Sequence, residues 1–174
     1  MKKLAVIFAN GMEEIEALTP VDVLRRAGVV CDTVALDGDQ AVGSHNIVIK
    51  ADKSLSKVNL DEYDGIVIPG GMPGATNISD SQTIIDALGR FIRNGKLVCA
   101  LCASPAVVLA KRRLIDGFKA TCYPAPQFIE LMKYTEYTAD DVTVCKNLIT
   151  GNGPKSAMKF SLAICDYLGL IPKF

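Results

Sequence analysis

Short, uninterrupted apolar runs alternate with segments of helical period along this chain, and that rhythm leaves few folds open. Residues 4–9, 30–35, 66–68 and 97–101 read as strands, while 13–27, 82–94 and 104–111 carry helical spacing. A strand with one wet face alternates apolar with polar residues. Apart from Asp32 and Thr33 these are apolar throughout, as in parallel strands covered on both faces. The expected fold is therefore α/β, an open doubly wound sandwich with a mostly parallel sheet. At 174 residues one domain, 1–174, accounts for the whole length, and a core of that size needs no disulfide or metal to hold it. Residues 38–60 read as an irregular insert with a small hairpin near 47–49. Residues 118–122 read as a further strand, 142–144 and 148–150 as a late pair turning at Lys146-Asn147, and 156–168 as a closing helix.

Charge excludes some partners. Lys plus Arg and Asp plus Glu are both 19, so the formal charge is zero, and neither nucleic acid nor an acidic membrane surface is an expected partner. The apolar start is short and soon meets Glu13, Glu14 and Glu16, so it reads as a first strand and not as a targeting segment. No stretch is long enough for a membrane span. The six cysteines, in a chain this rich in core residues, suit a reducing cytoplasm better than a disulfide scaffold. Cys99 and Cys102 form a C-x-x-C, but no second such pair accompanies them and His45 is the sole histidine, so no metal site is expected. No G-x-G-x-x-G follows the first strand, which leaves no sign of a dinucleotide, and no cofactor is expected.

Doubly wound sheets bind ligands beyond the carboxyl ends of their strands. The loops to inspect are thus 10–16, 69–74, 102–105 and 123–126. Cys102 ends an apolar strand and is flanked by Ala100, Ala103 and Ser104, the small residues that a sharp strand-to-helix turn requires. That is the pattern of a nucleophile elbow with Cys as the nucleophile. A helix N-terminus beside the sulfur would stabilise its thiolate. The same pattern also suits a buried structural cysteine, the reading adopted for Cys99.

Glu16 shares a helix face with Thr19, Pro20 and Val23. A carboxyl group there has its pKa raised and, once protonated, donates to a thiolate. Glu13 and Glu14 read as acids that complement the helix dipole. Gly70 and Gly71, with Ala103, are candidate backbone donors of an oxyanion hole over Cys102. The loop 151–154, ending in Pro154, reads as a lid over the pocket or a plain connection. Tyr123 is a candidate hydrogen-bond donor at the pocket and a poor base. A cysteine hydrolase of peptide or amide bonds would need an imidazole, and only His45 offers one.

These residues together resemble the ThiJ/PfpI superfamily, and within it the Parkinsonism-associated deglycase branch. The resemblance is carried by Gly11-Met-Glu-Glu-Ile-Glu16, Pro20-Val-Asp-Val-Leu-Arg-Arg-Ala-Gly28, Tyr63-Asp-Gly-Ile-Val-Ile-Pro-Gly-Gly71, Ala100-Leu-Cys-Ala-Ser-Pro105 and Gly151-Asn-Gly-Pro154. It implies a flavodoxin-like sandwich, a homodimer, an elbow cysteine at Cys102 and a glutamic acid at Glu16 bonded to its sulfur. It also implies cofactor-free glyoxalase or deglycase chemistry on 2-oxoaldehydes or their adducts, a peroxide-responsive sensor or chaperone working through Cys102 oxidation, or, in other branches, peptidase or amidase activity. A small carbonyl compound or peroxide is the implied partner. The chain departs from the family where a histidine commonly follows the strand 118–122, because Tyr123 stands there. His45 falls where relatives often carry an arginine near the dimer contact.

Overall fold

The computed structural model describes residues 1–174. Its central sheet is built from β1 (Lys3–Phe8), β2 (Val30–Ala35), β5 (Lys53–Ser54), β6 (Gly65–Ile68), β7 (Leu97–Leu101), β10 (Val142–Cys145) and β11 (Leu148–Gly151). Their spatial order is β10-β11-β7-β6-β1-β2-β5. All neighbours run parallel except the β10–β11 pair. The five inner strands therefore follow the flavodoxin-like order 2-1-3-4-5, as expected from the apolar runs.

The uninterrupted hydrophobicity of β1 has a direct cause. Leu4, Val6 and Phe8 enter one core with α1 (Glu14–Arg26) and α5 (Ala157–Tyr167), while Ala5 and Ile7 enter the other with α3 (Gln82–Arg93). A strand that feeds two cores has no solvated side. Helix α1 carries Glu14 and Glu16 in its first turn and Arg25 and Arg26 in its last, matching both ends of its dipole. It runs through Pro20, which is buried.

The insert holds an antiparallel hairpin of β3 (Gln40–Val42) and β4 (Val48–Lys50), followed by the edge strand β5. The hairpin is tied to the loop before α1 by the Gly11 N–H on the Val42 carbonyl and the Ser44 N–H on the Met12 carbonyl, both at 2.8 Å. Two expectations need correction. The strand at 118–122 shrinks to β8 (Lys119–Ala120), which pairs with β9 (Glu136–Tyr137) outside the main sheet. Thr121 is instead held through its N–H by the Thr150 hydroxyl at 3.0 Å. The helix after Cys102 is wide: Lys111 donates to Ala106 and Leu114 to Leu109, each five residues back. Two short helices, α2 (Gly74–Ser79) and α4 (Pro126–Leu131), lie where no helix is expected. No helix is long and apolar enough to cross a membrane.

Candidate active site at Cys102 and Glu16

The ends of β1, β6 and β7 converge, and the chain beyond them brings Glu16, Gly70, Gly71 and Cys102 together. Cys102 has φ +64°, a left-handed conformation that is rare for a residue with a side chain. Such strain costs on the order of 1–2 kcal/mol and persists only where the surroundings enforce it. Here they do. The Cys102 N–H donates to the Gly151 carbonyl at 2.9 Å and its carbonyl accepts from the Tyr123 N–H at 2.8 Å. The buried Ser104 hydroxyl donates to the Pro69 carbonyl at 2.6 Å, fastening the elbow to the loop after β6. Nothing in the sequence beyond its small size marks Ser104 for that task.

Glu16 is completely buried. Its Oε1 accepts from the Gly70 N–H at 2.9 Å, its Oε2 is buried without a hydrogen-bond partner, and the carboxyl group interacts with the Cys102 side chain. A Cβ on residue 70 would lie 2.6 Å from both Cys102 Cβ and Glu16 Oε1, so only glycine lets the two groups meet. The donor assignment for Gly70 is thereby corrected, because its N–H is committed to Glu16 and is not free for a bound oxyanion. The N–H groups of Ala103 and Gly71 favour the ionised form of the Cys102 sulfur.

Burial raises the Glu16 carboxyl to about 7, and the charge of Glu13 adds to the effect while the bonds to Cys102 and Gly70 oppose it. Burial also raises the Cys102 thiol, and an ionised Glu16 raises it further, against the pull of the Ala103 and Gly71 N–H groups. The expectation of a thiol held below its ordinary value by a helix end is thus corrected: lost hydration outweighs the backbone donors. The two groups titrate as a pair, and the first proton lost makes the second harder to remove. Above about pH 7 the pair holds a single proton.

The other candidates are placed differently. Cys99 is fully buried in the core beneath α1 and α5, as the structural reading expects, and all six cysteines are free. Tyr123 reaches the elbow through its backbone, while its ring stands edge-on to Phe128 at 6.3 Å and packs beside Gly153. Tyr123 and Pro154 line an open cleft of about 480 Å³ together with Asn152 and Lys155. His45 is not at the sulfur. Its Nδ1 lies 2.8 Å from Glu14 Oε2 and 3.8 Å from Glu13 Oε1. Bonding to Glu14 raises the imidazole's pKa. Glu13, Glu14 and His45 bring metal-ligand chemistry within 4.8 Å, but Glu14 is already satisfied by the His45 ring and N–H.

The raised Glu16 carboxyl makes stability depend on pH. In the unfolded chain the group ionises at its ordinary value, so its contribution is full below about 4.5 and is lost as pH rises through about 7. Wild type should lose on the order of 3 kcal/mol across that window relative to Glu16→Gln. Denaturant unfolding of both proteins at pH 4 and pH 8 checks this, and parallel pH profiles would contradict it.

Residues 2–167 match the model of the DJ-1/PfpI family. Protein dj-1beta of Drosophila melanogaster is 40% identical over 172 residues, covering 96% of this chain and 89% of that protein. The Parkinson disease protein 7 homolog of Danio rerio is 34% identical over 171 residues, with 96% and 89% covered. Among solved structures, oxidized Toxoplasma gondii DJ-1 superposes with TM-score 0.89 at 38% identity, covering 97% of this chain and 91% of that one. Drosophila melanogaster DJ-1beta superposes with TM-score 0.90 at 37% identity, with 96% and 90% covered. Shared sequence over nearly the full length and a shared fold lead to one conclusion: this chain belongs to the DJ-1/PfpI family.

Proposed function

We propose that the protein is a cysteine-dependent, cofactor-free enzyme of the glyoxalase or deglycase type, acting on 2-oxoaldehydes or their adducts. The observation that carries this reading is a fully buried glutamic acid with one unpartnered oxygen, packed against the elbow cysteine across Gly70, where burial raises its carboxyl to about 7. A group with that pKa both accepts and returns a proton at neutral pH. Glu16 takes the Cys102 proton as sulfur attacks the aldehyde carbon and returns it to the oxygen of the resulting hemithioacetal, which leaves Glu16 as the carboxylate. Thiolate with protonated Glu16 is the state in which the attack occurs. Glu16 then carries the hydrogen of the former aldehyde carbon to the neighbouring carbon, leaving a thioester of the 2-hydroxy acid. Water cleaves the thioester and restores the thiol. The Ala103 and Gly71 N–H groups, which favour the ionised sulfur, stabilise negative charge beside it.

A second reading has its own support. A cysteine held by two N–H donors and a carboxyl group can store an oxidised sulfur, and one structural relative is described as oxidized. In that role the protein responds to peroxide through Cys102. A peptidase reading has no such support, because the one histidine is spent on Glu14.

Cys102→Ser should lower methylglyoxal consumption by at least about a hundredfold, and Glu16→Gln should lower it while leaving Cys102 open to alkylation. Turnover that survives in Cys102→Ser sinks the enzyme reading. If wild type shows no turnover but mild peroxide adds two oxygens to Cys102 alone, the sensor reading takes its place.

We also propose that two copies pair through the face around α1 and the β3–β4 hairpin. Ile15, Leu18, Ile47 and Val48 are large, apolar and exposed there, flanking the Glu14–His45 contact. Sedimentation equilibrium should give a dimer for wild type and a monomer for Leu18→Glu, whereas a monomeric wild type would contradict the pairing.

A further inference from the structure

Three hydrogen bonds close a ring around the Glu16 carboxyl. The Glu13 N–H donates to the Gly70 carbonyl at 3.0 Å. The Gly70 N–H donates to Glu16 Oε1 at 2.9 Å. The Glu16 N–H returns to Glu13 Oε2 at 2.9 Å. Each residue gives one N–H and receives one, and because Oε1 is pinned, Oε2 is left without a partner beside the Cys102 side chain. The only side chain in this ring from outside the reacting pair belongs to Glu13.

We propose that Glu13 is a positioning residue for the Cys102–Glu16 pair: its carboxylate closes the ring that aims Glu16 at the sulfur, and its negative charge helps to keep the shared proton in place. The proposal rests on Cys102 and Glu16 being the working pair. A helix N-cap by itself asks only for a short acceptor, a task for which Ser, Thr, Asp and Asn are favoured. The Glu13 side chain is 12% exposed, so its charge acts on Glu16 through protein more than through water. That charge raises Glu16 in the same direction as burial, the larger cause.

The other titratable groups facing this cluster are Cys102 from the elbow, Glu14 from α1 itself and His45 from the hairpin. His45 lies closer to Glu14, at 2.8 Å, than to Glu13, at 3.8 Å. The imidazole is therefore engaged first by Glu14, and the negative charge of Glu13 remains felt at Glu16.

The test follows iodoacetamide alkylation of Cys102 against pH, read by mass on the peptide that carries it. This needs no substrate, so a wild type that fails to consume methylglyoxal defeats the enzyme reading without touching this result. Glu13→Gln keeps the acceptor oxygen and loses the charge, so Glu16 ionises at lower pH, the thiol is raised in turn, and the alkylation midpoint should move up by about half a pH unit or more. Glu13→Asp keeps both features and should stay at the wild-type midpoint. Glu13→Ala opens the ring, and its profile should approach that of Glu16→Gln. An unmoved midpoint in Glu13→Gln, an equal shift in Glu13→Asp, or a wild-type profile in Glu13→Ala overturns the proposal. Because Gln and Asp both retain a cap, the decisive comparison survives if Glu13→Ala fails to fold.

Discussion

Glu16 loses all contact with water when α1 closes over the sheet, and in exchange it receives one N–H, from Gly70, and the neighbourhood of a sulfur. A carboxylate so placed is under-compensated, and its protonated form gains ground until the pKa reaches about 7. The chemistry available to the protein follows from that imbalance. A surface glutamate would be ionised and hydrated throughout the neutral range, with nothing to offer the thiol. A fully bonded one would be locked as an anion.

The surroundings of the pair are shaped to keep it in contact. Strain at Cys102 pushes the sulfur out of the strand line, and the Gly151, Tyr123 and Pro69 backbone groups hold the turn against relaxation. Glycine at position 70 is required because any side chain would occupy the gap between the thiol carbon and the carboxyl. Gly71, at φ +88°, is equally restricted, since a Cβ there would meet the Glu13 nitrogen at 2.4 Å. Loops from different strands thus converge on two side chains, as expected at the carboxyl edge of a doubly wound sheet.

Much of this was legible in the residues. Continuous apolar strands announced a sheet with two covered faces, because no other arrangement removes both sides from water. The small residues around Cys102 announced the elbow, and the spacing of Glu16 with Pro20 and Val23 placed it on a buried face. What escaped depends on three-dimensional pairing. The Gly70 N–H looked free for a ligand and is held by Glu16. Glu13 looked like one of several first-turn acids, and its link to Glu16 is visible only once the side chain folds back as a cap. The thiol was expected to be lowered by a helix end; burial and a neighbouring carboxylate, which spacing cannot weigh, reverse that. Helix α2 follows Gly70-Gly71 and a proline so closely that its six residues carry no periodic signal.

Infrared difference spectroscopy of wild type against Glu16→Gln tests the central claim most directly, because the protonated carboxyl of Glu16 has a C=O stretch that the carboxylate lacks. The account predicts a band present at pH 6 that disappears with a midpoint of about 7. A band already gone by pH 5, as for an ordinary exposed glutamate, would contradict it.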